Sequence, residues 1–236
     1  MQAGTEGYFG RMEKARELYR RAVESAQRAG EKETAAAYEI VATSTEVEYG
    51  NSQRAHQEVT TALSLAPTRD VKAWGATALA RAGDSVQAEK IANQLARQFL
   101  LNTMVNSVSI PTIRAAVEIN RDNPSQAIEY LQAVSPYELG WEDVMYSAYL
   151  RGLAYLQLGQ GNEAATEFQR ILDRRYVVLN NPQGALAHLG IARARVLQGD
   201  TAKARSAYQD FFSLWKDADP DIPILKEARA EYTKLQ

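Results

Sequence analysis

Few residues in this chain have the type and spacing to do chemistry. There are two histidines, His56 and His188, far apart in sequence, and no cysteine. Disulfides, thiolate metal sites and cysteine nucleophiles are therefore excluded. Asp217, Asp219 and Asp221 alternate as in a calcium loop. Such a loop needs glycine at its sixth position and glutamate at its twelfth, and here Ile222 and Ala228 stand there. No Ser–His–Asp arrangement forms a recognisable nucleophile motif. Phosphoryl transfer would need a glycine-rich loop ahead of a lysine-bearing strand, a His-Arg-Asp loop and an Asp-Phe-Gly. The nearest text, Asp210-Phe211-Phe212, lies in a helical stretch. The sequence thus offers no catalytic residue, no cofactor and no metal ligand, and it reads as a non-enzyme.

What remains is contact chemistry, carried by aromatics and arginine. The elements that place them come from composition and repeats. The chain has 236 residues, 45% hydrophobic and 24% charged, with a formal net charge of -2. That balance gives no global attraction for nucleic acid. No apolar run approaches the roughly 20 residues that span a bilayer, so direct membrane insertion is not expected. A soluble segment in a reducing, cytoplasmic compartment fits the composition.

One pattern recurs: a helix-ending glycine, a polar residue, then an alanine five positions after the glycine. It gives Ala15, Ala55, Ala88, Ala164 and Ala204, and a sixth copy has Asp122 in the glycine's place before Ala127. Glycine tolerates the left-handed conformation that closes a helix, and the Asn or Asp that follows caps the next one. Tyr19, Val59, Leu131, Phe168 and Tyr208 lie four residues beyond their alanines, on one buried helix face; Ala92 is the exception. Small alanines let paired helices approach. About twelve antiparallel helices follow, near 10–29, 33–49, 52–66, 69–82, 85–98, 104–121, 124–134, 141–158, 162–174, 183–198, 201–216 and 222–235.

Gly152, Tyr155, Gly159, Ala164 and Phe168, with Pro67 after the second unit, resemble the tetratricopeptide (TPR) repeat pattern. The resemblance implies one all-α domain over 1–236, a right-handed superhelical solenoid. Its parts are a half repeat at 8–30, hairpins at 33–66, 69–98, 104–134, 141–174 and 183–216, and a capping helix at 222–235. The text at 73–99, at 134–140 and from Gly184 onward is similar to the C-terminal TPR region of bacterial, especially acidobacterial, eukaryote-like Ser/Thr protein kinases. That resemblance implies a piece of a larger signalling protein, or a region regulating a kinase domain in cis.

A solenoid of this kind lines a concave groove with the first helix of each hairpin. The projected groove positions are Ile40, Ser44, Val47, Asp70, Ala73, Thr77, Ser109, Thr112, Tyr146, Tyr149, Leu153, Arg193 and Val196. The lysine and asparagine clamp that grips a peptide carboxylate is missing at these positions. The expected partner is a protein or peptide with apolar side chains and one acidic contact at Arg193. A first helix is missing before residue 10, so a homodimer through the unpaired N-terminal helix is a further expectation. In the final helix, Ile224, Leu225, Ala228 and Tyr232 are expected to face the last hairpin, and Lys226, Glu227 and Glu231 water.

Overall fold

The computed structural model describes residues 2–141 and 143–236. Met1 and Glu142, which fall within the predicted limits 1–236 and 141–174, lie outside the described residues. The described residues are all-helical and form a TPR-like solenoid. Its first hairpins are α1 (Gln2–Tyr8) with α2 (Met12–Arg28), α3 (Lys32–Glu48) with α4 (Ala55–Leu65), and α5 (Arg69–Arg81) with α6 (Ser85–Gln98). A π-helical turn (Val105–Ser109) runs into α7 (Ile110–Asn120), which pairs with α8 (Pro124–Gln132). Then come α9 (Tyr146–Gln157) with α10 (Gly161–Asp173), the single turn α11 (Arg175–Val178), α12 (Pro182–Leu197) with α13 (Thr201–Leu214), and α14 (Pro223–Thr233).

The six repeat alanines explain the layering. Ala15, Ala88, Ala127, Ala164 and Ala204 have no exposed surface and Ala55 has 1%. Each sits where an outer helix meets its own inner partner and the inner helix of the next hairpin. Thus α4 packs on α3 and α5, α6 on α5 and α7, α8 on α7 and α9, and α10 on α9 and α12. Inner helices α3, α5, α7, α9 and α12 pack in succession. The glycines before these helices take positive φ, from 70 at Gly159 to 95 at Gly83, and Asp122 takes φ 59 in the same place.

Capping is split. Asp84 accepts the Gln87 N–H at 3.1 Å and Asp200 that of Lys203 at 3.0 Å. Asn51 and Asn123 do not cap; their amides donate back to Glu46 and Glu118 of the preceding helices. The predicted helix at 104–121 carries a π turn because Pro111 has no N–H to continue the ladder. The helix predicted from 141 begins only at Tyr146. Val144 and Met145 take positive φ (42 and 66), and the Asp143 carboxylate holds the Ser147 N–H at 3.0 Å and its hydroxyl at 2.7 Å.

The N-terminal end differs from the sequence expectation. A short helix, α1, does precede α2 and packs on both α2 and α12. The last turn of the solenoid therefore returns to the first. The Trp215 indole N–H donates to the Tyr8 carbonyl at 2.9 Å, and its ring meets Tyr49 edge-on at 4.9 Å. Asp219 donates its N–H to the Gly10 carbonyl (3.0 Å) and accepts that of Glu13 through its carboxylate (2.7 Å). A Cβ on Gly10 would lie 2.6 Å from Ala218, so only glycine fits this closure. A helix therefore stands before α2, where the sequence reading of a half repeat at 8–30 and a homodimer through an unpaired helix expected none.

Candidate binding pocket

Curvature turns the inner helices toward a common interior, and part of it stays open. A pocket of about 280 Å³ is walled by α3, α5, the π turn with α7, residues 141 and 143–146, and the start of α12. Its apolar wall includes Ile40, Val41, Val47, Ala73, Trp74 and Val108. Trp141 stands at the rim, 81% exposed.

Six of the nine principal groove residues lie on this wall: Ile40, Ser44, Val47, Thr77, Thr112 and Tyr146, together with Ala73 and Ser109. The other three do not. Tyr149 is buried behind Tyr146, its ring 5.9 Å from Tyr146 and 6.2 Å from Phe168. Asp70 sits at the first turn of α5, paired with Arg69. Arg193 is held by Glu231 at 2.9 and 3.0 Å and by Glu227 at 3.5 Å. The acidic contact expected of a partner is thus supplied by α14 of the same chain, and Glu231 also accepts the Tyr208 hydroxyl at 2.7 Å. Of the residues expected to face water, Lys226 and Glu227 are exposed, Glu227 touching Arg193 only at its edge, while Glu231 is partly buried against Arg193. Among the other projected positions, Leu153 is partly buried against the core and Val196 is 41% exposed, and neither reaches the pocket.

Sequence reasoning missed Glu48, Trp74, Trp141, Asp143, Asn181 and Gln183 on the wall. Glu48 carried a signal, because Ile40, Ser44 and Glu48 are spaced four apart on one helix face. Asp143 carried none, since its position follows from the irregular turn before α9.

The floor is ionic. Glu48 is 6% exposed and receives Arg81 through Nε at 3.0 Å and Nη2 at 3.2 Å, and the Tyr146 hydroxyl at 2.6 Å. Burial, then the Glu48 charge, pushes the Tyr146 phenol well above its ordinary range, so it stays a neutral donor. Behind the turn before α9, Arg151 is buried with Glu138 at 2.7 Å and Glu167 at 2.9 Å, and Arg170 joins both carboxylates. Burial pushes Asp143 up to about 6, against the two hydrogen bonds from Ser147 and the Arg151 charge. A second cavity of about 690 Å³ between α2, α3 and α4 mixes arginines with glutamates, and there Arg16 pairs with Glu46.

No group of three or more His, Asp or Glu among the described residues is arranged to hold a metal ion, and no helix among them is long and apolar enough to cross a membrane. The fold and its interior pocket define a helical-repeat protein with a side-chain-sized recess. Residues 149–220, which carry hairpins α9/α10 and α12/α13, match the tetratricopeptide repeat family model. No curated protein matches the chain. Repeats of that family generally mediate protein–protein interactions and are generally non-catalytic.

Proposed function

We propose that this chain binds a partner polypeptide, with the pocket of α3, α5 and α7 taking one or two side chains of an extended or helical segment. The observation that carries the reading is an open, mostly apolar recess on the inner helices, at positions a repeat register assigns to partner contact. Its volume falls near the lower end of the roughly 300–1,000 Å³ typical of ligand sites, which suits side-chain anchors rather than a whole ligand. Buried apolar anchors ringed by polar groups are how such surfaces gain affinity.

The test is a displayed-peptide selection on the full chain, with titration of the enriched peptides. Thr77→Tyr fills the pocket from a half-buried wall position and is expected to weaken binding at least tenfold without a large change in melting. Absence of enrichment, or binding indifferent to this variant, would reject the reading. The wider setting we infer is the C-terminal part of a bacterial signalling protein, with regulation in cis of a Ser/Thr kinase domain as the alternative. Its support is the text at 73–99 and from Gly184 onward, and comparing peptide binding by this segment and by the longer protein separates the two.

A further inference from the structure

We infer that the pocket takes a cationic side chain, an arginine or lysine carried on an apolar stretch of the partner polypeptide. This rests on the polypeptide-binding reading above and adds the charge of the anchor.

The first argument is a donor and acceptor inventory. Among the described residues the wall holds two carboxylates, Glu48 and Asp143, and no lysine or arginine. Several of its other polar groups direct a donor inward, away from the recess. Thr45 and Thr77 donate their hydroxyls to the Val41 and Ala73 carbonyls, at 2.9 and 3.0 Å. Tyr146 donates to Glu48. The Asn181 amide donates to the Val178 carbonyl at 2.7 Å and the Gln183 amide to that of Val144 at 3.0 Å. The hydroxyl and carboxylate oxygens of these groups keep lone pairs for a ligand. A guanidinium or ammonium brings donors and no acceptor, the complement of such a wall.

The second argument is two wall groups left incomplete. Asp143 is 2% exposed and has no ion pair among the described residues; its hydrogen bonds come from Ser147 alone. The one cation that acts on it, Arg151, is already occupied by Glu138 and Glu167. Thr112 is 7% exposed, and its hydroxyl is buried without a partner. A buried carboxylate without a counter-charge and a buried hydroxyl without a bond are both costly in a folded chain. At neutral pH Asp143, with its pKa near 6, is ionised, so a bound cation gives it the charge partner the chain withholds. Trp74 and Trp141 add indole faces, which attract cations, beside these carboxylates. The cavity between α2, α3 and α4 has no such imbalance, because its arginines accompany its glutamates.

The test uses the full chain and three fluorescently labelled, capped hexapeptides of alanine, leucine and glycine. Their central residue is arginine, leucine or glutamate. At pH 7.5 the arginine peptide is expected to bind at least tenfold tighter than the leucine peptide, with the glutamate peptide weakest. Asp143→Asn is expected to remove that preference, while melting at or above the parent. Thr112→Val is a second variant that adds no charge; it is expected to weaken the arginine peptide severalfold. N-acetyl-arginine amide is expected to bind at least tenfold more weakly than the arginine peptide. Equal affinity for arginine and leucine peptides, or preference for glutamate, overturns the cation inference but not the polypeptide reading. Retained arginine preference in both variants also overturns it. Free arginine amide binding as tightly as the peptide overturns the polypeptide source. No binding by any peptide overturns both readings.

Discussion

Hairpins α9/α10 and α12/α13 and the wall of α3, α5 and α7 fill the space between successive inner helices in different ways. In the first region Phe168 has no exposed surface and its ring fits between two glycines. A Cβ would come within 2.7 Å of the ring at Gly152 and 2.6 Å at Gly190. Backbone lies directly on an aromatic face, and no space remains. In the second region the inner helices carry Ser44, Thr77 and Thr112, Pro111 forces a π turn, and the turn before α9 holds two residues at positive φ. These features keep the helices from filling the interior, and the pocket is the result. The family match falls on the first region and not on the second. Repeat consensus residues here serve packing, and departures from them leave open space.

Four measurements would break or sharpen that contrast. The largest effect is expected from Phe168→Ala, which should lower unfolding free energy by about 3–5 kcal/mol in urea titration. A loss below about 1 kcal/mol would mean that the region tolerates a void as the pocket does. Arg81→Met leaves Glu48 buried without its charge partner and should cost about 3–5 kcal/mol, with Glu48→Gln in the same chain restoring much of it. If the double variant is no better than the single one, the pair is not a unit.

Asp143→Asn should act in the opposite direction. The folded chain holds that proton more tightly than the unfolded chain does, with a pKa of about 6 against 3.8. Its stability contribution is therefore present below pH 4 and lost as pH rises through 6. The ionised group costs the fold up to about 3 kcal/mol. The asparagine variant should gain a comparable amount at pH 7.5 and nothing below pH 4, read from paired denaturation curves. A loss at both pH values would make Asp143 a structural cap only. The smallest effect is expected from Thr112→Val, which removes a buried hydroxyl without a partner and should stabilise by about 1 kcal/mol. Stability gained and affinity lost at the same two positions would mark the wall as built for a ligand.

Much of this architecture was legible in the chain. The alanine spacing and the helix-ending glycines located most of the helices to within a few residues, because capping and helix periodicity are local. Twelve helices were read; the structure adds the short α1 and α11. Of the nine positions that register alone projected onto a groove, six line the pocket. Arg193 was misjudged because its partner, Glu231, lies 38 residues away on the side of the last helix read as facing water.

The sequence by itself determined which residues form helices, where those helices stop and which face of each meets its neighbour, since these depend on side chains three to five positions apart. Only the tertiary structure decided that the ends meet, with Trp215 on Tyr8 across 207 residues, and that Asp143 enters a pocket formed by α3, α5 and α7. Small rotations between hairpins add along the solenoid, so the position of the last helix against the first depends on every packing angle between them.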